Sequence, residues 1–252
     1  MPSAIKKNVL QGTNSLLGLA DLKLVRSRDQ DWSDPSTFLP LKETVAAAQA
    51  AGLPLGEYIE NTYNVPGAIG TTIGHLTELD VFSGTRDRIC EIGPGSARFL
   101  EPVRSLCKPS HYEVYETAAP WAKWLQENYG VILRATDGKT LKATPDDSID
   151  LVHAHKVLVV VPLLGICRYL KEMMRVTRPG GVVVFDAFTD DCLADGAIDK
   201  WLATDVDAGS YPSLVLKQLI VDLFTAGGFD LSGTFLIPMK PGTTQYFVFR
   251  RR

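Results

Sequence analysis

The segment between residues 88 and 99 constrains the fold more than any other part of the chain. A β-rich run, Arg88 to Ile92, breaks into Gly-Pro-Gly-Ser-Ala, and a helical pattern begins at Arg98. Glycine permits the positive φ angles that a tight turn between a strand and a helix requires. Such a turn brings backbone N–H groups at a helix N-terminus close to a ligand. The segment therefore predicts a binding turn for a nucleotide-like molecule.

Strand-like and helix-like segments alternate after this turn, which favours a parallel sheet covered by helices on both faces. Strands are predicted at 88–92, 111–116, 131–135, 149–154 and 181–187, and helices at 97–106, 118–129, 163–176 and 212–226. The last two strands, 229–237 and 243–251, are joined by a Pro/Gly turn, so they must form an antiparallel hairpin at the sheet edge. We therefore predict an α/β fold with seven strands.

The first 80 residues carry a different pattern. Helical segments are predicted at 40–60, where Gly52 and Pro54 divide the run, and at 68–80. We interpret residues 1–80 as a helical extension that packs as a cap over a domain formed by residues 81–252.

Composition excludes several classes of protein. The 252 residues carry a net charge of −3, so nothing suggests a nucleic-acid partner. The longest apolar run, Val157 to Ile166, is too short to span a bilayer and contains Pro162, so no membrane insertion is expected. Four cysteines without metal-ligand spacing, and no secretory signal, predict a cytoplasmic protein with reduced thiols. A homodimer is compatible with these features.

Acidic residues follow the first three predicted strands. Glu91 lies at the end of the first, Glu116 at the end of the second, and Asp137 with Gly138 after the third. A carboxylate about 20 residues beyond a glycine turn accepts hydrogen bonds from ribose hydroxyls. An acidic turn after the third strand suits an adenine amino group. Neither Glu91 nor Pro94 helps to bind a diphosphate, and an acidic residue beside the turn suits an ammonium group better, which argues against a dinucleotide.

This set of motifs resembles the class I S-adenosylmethionine (SAM)-dependent methyltransferases over about residues 60–252. Further matching features are Asp150-Leu-Val on the fourth strand, Arg178-Pro-Gly-Gly before the fifth, and the closing hairpin. Ala97 departs from the family pattern, because many members have a third glycine there. The resemblance implies a Rossmann-like, mostly parallel sheet and SAM as the cofactor.

The resemblance also implies roles for the acidic and glycine positions. Gly93 and Gly95 are expected to lie against the methionine part of SAM, and Glu91 suits its ammonium group. Glu116 is expected to hold the ribose. Asp137 and the backbone of Gly138 are expected to flank the adenine.

Two histidines at the end of the fourth strand are candidates for catalysis. Alternation puts His153 and His155 on the same side, with His155 at the strand tip. A histidine titrates near neutral pH and can accept a hydroxyl proton during methyl transfer. We therefore predict O-methyl transfer with His155 as general base, aided by His153. The alternative is a packed, hydrogen-bonded histidine, and Lys156 is interpreted as either a substrate-orienting or a solvated residue.

The end of the fifth strand raises the question of a metal. Metal-dependent catechol-type O-methyltransferases carry an Asp at the tip of strand four and an Asp-Asn pair at the tip of strand five. Here His155 stands at the first place and Asp186-Ala187 at the second. Asp186 is thus a further candidate catalytic residue, and Asp186 with His155 is a candidate Mg²⁺ site, although Mg²⁺ prefers oxygen ligands.

The segment from Cys192 to Pro212 carries the prediction about the acceptor. It interleaves aromatic and acidic residues, namely Trp201, Asp205, Asp207 and Tyr211, which suit the faces and hydroxyls of sugars. The runs around His153 and Arg178 are similar to sugar O-methyltransferases, such as those of methylmannose polysaccharide biosynthesis. We expect a sugar or oligosaccharide acceptor. The alternatives are a phenolic or quinone-type small molecule, a surface excursion without a binding role, and a non-catalytic SAM-binding interaction module.

Overall fold

The structure is a computed structural model that describes residues 39–194, 196–204 and 212–252. Its seven strands are β1 (Arg88–Ile92), β2 (His111–Tyr115), β3 (Ile132–Leu133), β4 (Ile149–Ala154), β5 (Thr177–Ala187), β6 (Phe229–Pro238) and β7 (Thr243–Arg251). They form one sheet in the order β3-β2-β1-β4-β5-β7-β6. β7 pairs antiparallel with β5 and β6, and the other pairs are parallel. The predicted α/β fold with a closing antiparallel hairpin is confirmed.

The described helices cover the sheet and its edge. They are α1 (Leu41–Ala50), α2 (Leu55–Tyr63), α3 (Ala68–Glu78), α4 (Leu100–Cys107), α5 (Ala119–Tyr129), α6 (Leu163–Val176), α7 (Ala197–Leu202) and α8 (Lys217–Ala226). Gly52 adopts a φ of +66° and Pro54 caps α2, so the predicted division between the first two helices is present. Among the described residues, no helix has both the length and the apolarity that a membrane span requires.

Both faces of the sheet are buried. One face packs against α6 and α8 through stacked rings, which are Phe185, Phe224, Phe247 and Phe249. On the other face, Val184 and Val248 pack with Leu76 of α3 and Leu100 of α4. A strand buried on both faces reads as a continuous apolar run, and Val182 to Phe185 is such a run.

Several predicted boundaries were wrong. The helix predicted from 97 begins at Leu100, the strand predicted at 131–135 is only Ile132–Leu133, and the two largest shifts are at the starts of β5 and α8. β5 begins at Thr177 rather than at 181, because Arg178-Pro-Gly-Gly forms an irregularity within the strand: Ile149 pairs with Thr177 while Leu151 pairs with Val182. Helix α8 begins at Lys217 rather than at 212, because the backbone at 214–215 is bound elsewhere. The N–H of Val215 donates to the carbonyl of Phe188 over 2.9 Å.

The first three helices in the described part of the chain share apolar contacts with the domain. Trp121 of α5 packs with Ile59 of α2, and its Nε1 donates to the carbonyl of Leu39 over 2.5 Å. Leu76 of α3 belongs to the core under the sheet. The domain boundary at residue 80 stays a prediction, since residues 1–38 lie outside the described part of the chain.

Candidate functional site

A cavity of about 1,020 Å³ opens at the carboxyl ends of β1, β2 and β4. β1 lies between β2 and β4, so this is the point at which the strand order reverses, where open α/β sheets bind ligands. The residues that line it include Glu91, Gly93, Pro94, Gly95, Ser96, Arg98, Phe99, Tyr115, Glu116, Thr117, His155, Lys156, Val157 and Tyr169.

The turn after β1 needs glycine at its first position. Gly93 has a φ of +62°, and a Cβ added there would lie 2.6 Å from Cγ2 of Val157. Gly95 also has a positive φ, of +51°. Ala97, where the family pattern has glycine, adopts a φ of +64° and is fully buried. A non-glycine residue in this conformation is strained by about 1–2 kcal/mol, which the surrounding core must offset.

Glu116 ties the glycine turn to the end of β2. Its Oε2 accepts from the backbone N–H of Gly95 over 3.0 Å, and its Oε1 accepts from Ala118 over 2.8 Å. Burial raises the pKa of Glu116, and these backbone hydrogen bonds oppose the effect. The carboxylate therefore sits at the cavity wall with part of its acceptor capacity still open.

The side chain of Asp137 forms hydrogen bonds within its own loop. Its Oδ1 accepts from the backbone N–H groups of Lys139 and Thr140, at 2.9 and 2.7 Å. Burial alone would raise the pKa of Asp137, but hydrogen bonds from Thr140 and Lys139 lower it to about 2. Neither Asp137 nor Gly138 lines the cavity. Their contact with an adenine stays a prediction.

A buried chain of hydrogen bonds runs from the glycine turn to the far hairpin. The hydroxyl of Tyr112 donates to Oε2 of Glu91 over 2.7 Å and lies 2.9 Å from Nε2 of His153. Nδ1 of His153 lies 3.0 Å from Nε2 of His155. Nδ1 of His155 lies 3.2 Å from the hydroxyl of Tyr246. The two predicted histidines are thus in direct contact, inside a chain of five side chains.

Burial sets the charge of each titratable group in this chain. It raises the pKa of Glu91 to about 8, although the bond from Tyr112 acts in the opposite direction. It lowers the pKa of His153 to about 3. The pKa of His155 lies well below its usual value, because of burial first and then the nearby charges of His153 and Lys156. Both imidazoles are therefore neutral at pH 7.

The hydrogen bond that Tyr112 donates to Glu91 is compatible with one consistent set of tautomers along the chain. An ionised Glu91 accepts from Tyr112, whose oxygen then accepts from Nε2–H of His153. Nδ1 of His153 in turn accepts from Nε2–H of His155. Nδ1 of His155 therefore carries a lone pair, and it accepts a hydrogen bond from the hydroxyl of Tyr246.

His155 lies at the cavity wall, but both of its ring nitrogens already have protein partners. Its ring stacks on Phe99 with 3.8 Å between the ring centroids. To accept a proton from a substrate, Nδ1 must exchange Tyr246 for that substrate. The role of His155 as a general base therefore stays a prediction.

Asp186 lies behind the cavity rather than in its wall. Its Oδ1 accepts from the backbone N–H of Lys156 over 2.6 Å, and its Oδ2 accepts from Thr244 over 2.9 Å. With these oxygens and both nitrogens of His155 engaged, the predicted Mg²⁺ site receives no support. In the described ranges, no group of three or more His, Cys, Asp or Glu side chains is arranged to hold a metal ion.

The burial of Lys156 was not predicted from the sequence. It adopts a φ of +60°, and its Nζ is buried 3.6 Å from Oδ2 of Asp186. Strained residues of this kind persist where surrounding contacts hold them, often at functional sites. Here the hydrogen bond between its N–H and Asp186 holds the backbone.

A second cavity of about 440 Å³ lies beside the first. Its walls come from α2, α3 and the end of β6, and Arg98, Phe99 and Lys156 line both cavities. The N-terminal helices therefore form part of a compartment that adjoins the glycine-turn cavity.

Tyr112 and Tyr246 were missed because their positions depend on pairing. Tyr112 is on β2, in register with Ile89 of β1, and Tyr246 is 91 residues from His155 in the chain. Strand alternation gives the face of each residue but not its cross-strand neighbour. No local sequence signal points to either tyrosine.

The predicted sugar-binding segment is only partly visible. Asp205, Asp207 and Tyr211 lie outside the described residues. Trp201 packs edge-on against Phe188, with 5.5 Å between ring centroids, and lines neither cavity.

Comparisons with known proteins agree with the architecture of this site. Residues 90–185 match the sequence profile of a methyltransferase domain family. No curated protein has significant sequence similarity to the chain.

Solved structures are similar in fold. The N-methyltransferase NodS from Bradyrhizobium japonicum, in complex with S-adenosyl-L-homocysteine (SAH), is 16% identical, with a TM-score of 0.55 and coverage of 82% of this chain and 98% of NodS. A SAM-dependent methyltransferase from Methanosarcina mazei is 16% identical, with a TM-score of 0.53 and coverage of 69% and 96%.

The [4+2]-cyclase SpnF is also similar, with 13% identity, a TM-score of 0.53 and coverage of 71% of this chain and 80% of SpnF. The shared fold alone thus does not fix the reaction. The sugar specificity predicted from the sequence finds no support in these comparisons. The profile match over residues 90–185 and the strand order agree, so this segment is similar to a methyltransferase domain and the chain has the fold of the class I SAM-dependent enzymes.

Proposed function

We propose that this protein transfers a methyl group from SAM to an oxygen atom of a small polar acceptor. The observation that carries the proposal is the continuity of one cavity, from the glycine turn and Glu116 at one end to His155 and Lys156 at the other. A donor bound against the turn would thus share its cavity with an acceptor near β4.

The residues at the turn end fit SAM. The N–H-rich turn, the carboxylate of Glu116 and the buried Oγ of Ser96, which has no hydrogen-bond partner among the described residues, offer donors and acceptors to a nucleoside and an amino acid. Glu91 faces the same cavity and would hold an ammonium group. When bound, SAM supplies an electrophilic methyl group on a positively charged sulfur.

An ammonium group next to Glu91 would keep this carboxyl ionised. The ionised form directs every hydrogen bond of the chain toward Glu91, so that Nδ1 of His155 carries a lone pair. Glu91, Tyr112 and His153 thus act as positioning residues for the tautomer of His155, much as a carboxylate orients an imidazole in a catalytic triad.

His155 would take the proton of the acceptor hydroxyl at Nδ1, in place of Tyr246. The C–O bond forms as the C–S bond breaks, the bonding electrons go to sulfur, and the O–H proton moves to nitrogen. A base with a low pKa suffices, because the hydroxyl becomes strongly acidic once its oxygen begins to bind the methyl group. The depressed pKa of His155 is therefore compatible with its proposed role.

Three measurements test the proposal. Calorimetry with SAH should show saturable binding at one site, whereas NAD should not bind. A screen of sugars and phenols for SAH release should then find an acceptor. His155→Gln should lower kcat by about 10²–10⁴-fold with the SAH affinity unchanged. The matched control is His75→Gln, which changes a half-exposed histidine of α3.

The outcomes separate the competing functions. NAD binding without SAH binding would refute a methyl donor site. Unchanged turnover in His155→Gln would refute base catalysis by this residue. SAH binding with no turnover of any acceptor would favour a SAM-binding module, and methyl transfer confined to amines would replace the oxygen acceptor by a nitrogen one.

A further inference from the structure

Two cationic side chains lie at the boundary between the two cavities. Lys156 and Arg98 line both compartments, together with the ring of Phe99. Burial lowers the pKa of both groups; the charge of Arg98 lowers the pKa of Lys156 further, whereas Glu60 and Asp186 raise the pKa of Arg98 and Lys156, respectively. Two like charges therefore line the same boundary.

Neither cation has its hydrogen-bonding capacity filled. Nζ of Lys156 is buried and makes no hydrogen bond within the described structure; its nearest carboxylate oxygen, on Asp186, is 3.6 Å away. Across the same described ranges, the guanidinium of Arg98 has neither a hydrogen bond nor an ion pair within 4.0 Å. The three N–H donors of Lys156 thus have no acceptor within hydrogen-bond distance among the described residues, and the donors of Arg98 make no hydrogen bond to them. Burial of unpaired charged donors is costly unless a ligand completes them.

Two carboxylates lower the net positive charge near this boundary but accept no hydrogen bond from the side chains of Lys156 and Arg98. The carboxylate oxygens of Asp186 accept from the backbone N–H of Lys156 and from the hydroxyl of Thr244. Glu60 faces the second cavity and stabilises the charge of Arg98 from a distance, while its Oε1 accepts from the N–H of Ile69 over 3.1 Å. Both side chains still line the boundary that the two cavities share.

Most of the remaining surface of the second cavity is apolar, and its charged residues include Glu60 and a further cation, Lys240. Its wall includes Val65, Ile69, Ile237 and Met239. A ligand that fills it would combine an apolar body with a group that accepts several hydrogen bonds at the end near Lys156 and Arg98. Arginine matches planar oxyanions by paired N–H bonds, and lysine adds a point charge.

We propose that Lys156 and Arg98 form a binding site for an oxyanion, a carboxylate or a phosphate, carried by the methyl acceptor. The site rests on the proposed function, in which the acceptor binds beside His155. It narrows the acceptor to a small anionic molecule with an apolar portion. Asp186 acts as a positioning residue, because it fixes the backbone that presents Lys156.

The test uses the full chain saturated with SAH and three probes of matched shape: benzoate, phenyl phosphate and the neutral benzamide. Calorimetry should show that benzoate or phenyl phosphate binds at least tenfold more tightly than benzamide. Which of the two binds better distinguishes a carboxylate from a phosphate acceptor. Arg98→Gln and Lys156→Gln should each weaken the preferred anion by about 10–100-fold, the range for charged hydrogen bonds.

The control variant is Lys123→Gln, which removes an exposed lysine of α5 and should change neither affinity. Arg98→Gln removes no protein hydrogen bond, so it reports on the site even if Lys156→Gln fails to fold. Equal binding of anions and benzamide, absence of anion binding, or retention of it in Arg98→Gln would overturn the proposal.

The SAH affinity of the variants separates this inference from the proposed function. It should stay within twofold of the wild-type value. A large loss of SAH affinity in Arg98→Gln or Lys156→Gln would assign the cations to the carboxylate of the methyl donor and overturn an acceptor site. Failure of SAH to bind the wild type would instead refute the proposed function itself.

Discussion

The buried carboxyl of Glu91 makes the stability of the free protein depend on pH in a predictable way. Burial raises its pKa from 4.5 to about 8. Between these two values the native carboxyl keeps its proton while the unfolded chain loses it. The stabilisation is therefore fully present below pH 4.5 and is lost as the pH rises toward 8.

The size of the effect follows from this pKa. Each pH unit in the window changes the free energy of unfolding by about 1.4 kcal/mol, so the whole span amounts to about 5 kcal/mol. His153 acts with the opposite sign, because its native pKa of about 3 lies below the usual 6.5 and its contribution is lost as the pH falls. Above pH 6.5 this opposing effect ends, and the Glu91 contribution should fall by about 2 kcal/mol up to pH 8.

The variant Glu91→Gln isolates the effect, because glutamine still accepts from Tyr112 and has no proton to lose. Urea unfolding of both proteins from pH 5 to pH 8, followed by tryptophan fluorescence, gives the difference in free energy at each pH. The wild type should lose stability relative to the variant throughout the range. Glu78→Gln, at an exposed site of α3, serves as the control and should run parallel to the wild type.

A second readout follows from the donor site. An ammonium group beside Glu91 would ionise it, so SAH binding at pH 7 should release about 0.9 proton for a pKa of about 8. Calorimetry in buffers of different ionisation enthalpy measures this number. A flat stability difference between wild type and Glu91→Gln, together with no proton release, would show that Glu91 is already ionised in the free protein and would refute the reasoning.

Three further predictions address the turn, the metal and Asp186. Gly93→Ala should lower the free energy of unfolding by about 2–5 kcal/mol in urea titrations, through its positive φ and the contact with Val157; Gly84→Ala, which has a φ of +70° and no atom within 4 Å, should lose only about 1 kcal/mol. EDTA and added Mg²⁺ should leave the rate of SAH release unchanged, because the candidate ligands are engaged by protein groups. Asp186→Asn should keep the SAH affinity within twofold in calorimetry, because Asp186 lines neither cavity.

Local patterns were sufficient for most of the fold. The run Val182 to Phe185 and the Pro/Gly turn before β7 predict a central strand and an edge hairpin from the sequence itself. The start of β5 was wrong because Arg178-Pro-Gly-Gly has the composition of a turn. Pairing with β4 keeps it within the strand as an irregularity, and this pairing has no local signal.

The candidate site also combines residues that the sequence predicts with residues that it does not predict. Glu91, Gly93 and Glu116 follow from strand ends and a glycine motif, and all line the cavity. The hydrogen-bond partners of His155 do not follow from such motifs, because Tyr246 reaches His155 through the antiparallel pairing of β5 with β7. Lys156 was indistinguishable from a solvated lysine because its burial depends on α2, α3 and β6.

Burial disfavours the charged form of side chains at both ends of the two adjoining cavities, but the charge has the opposite sign at each end. At Glu91 burial disfavours the anion, and at Lys156 and Arg98 it disfavours the cations. A ligand of the complementary charge stabilises the ionised form at each end, so part of its binding energy comes from offsetting the cost of burying that charge in the free protein. A neutral ligand of the same shape gains none of this. The compartment therefore selects for a cationic group at the turn and an anionic group at the N-terminal helices, with His155 between them.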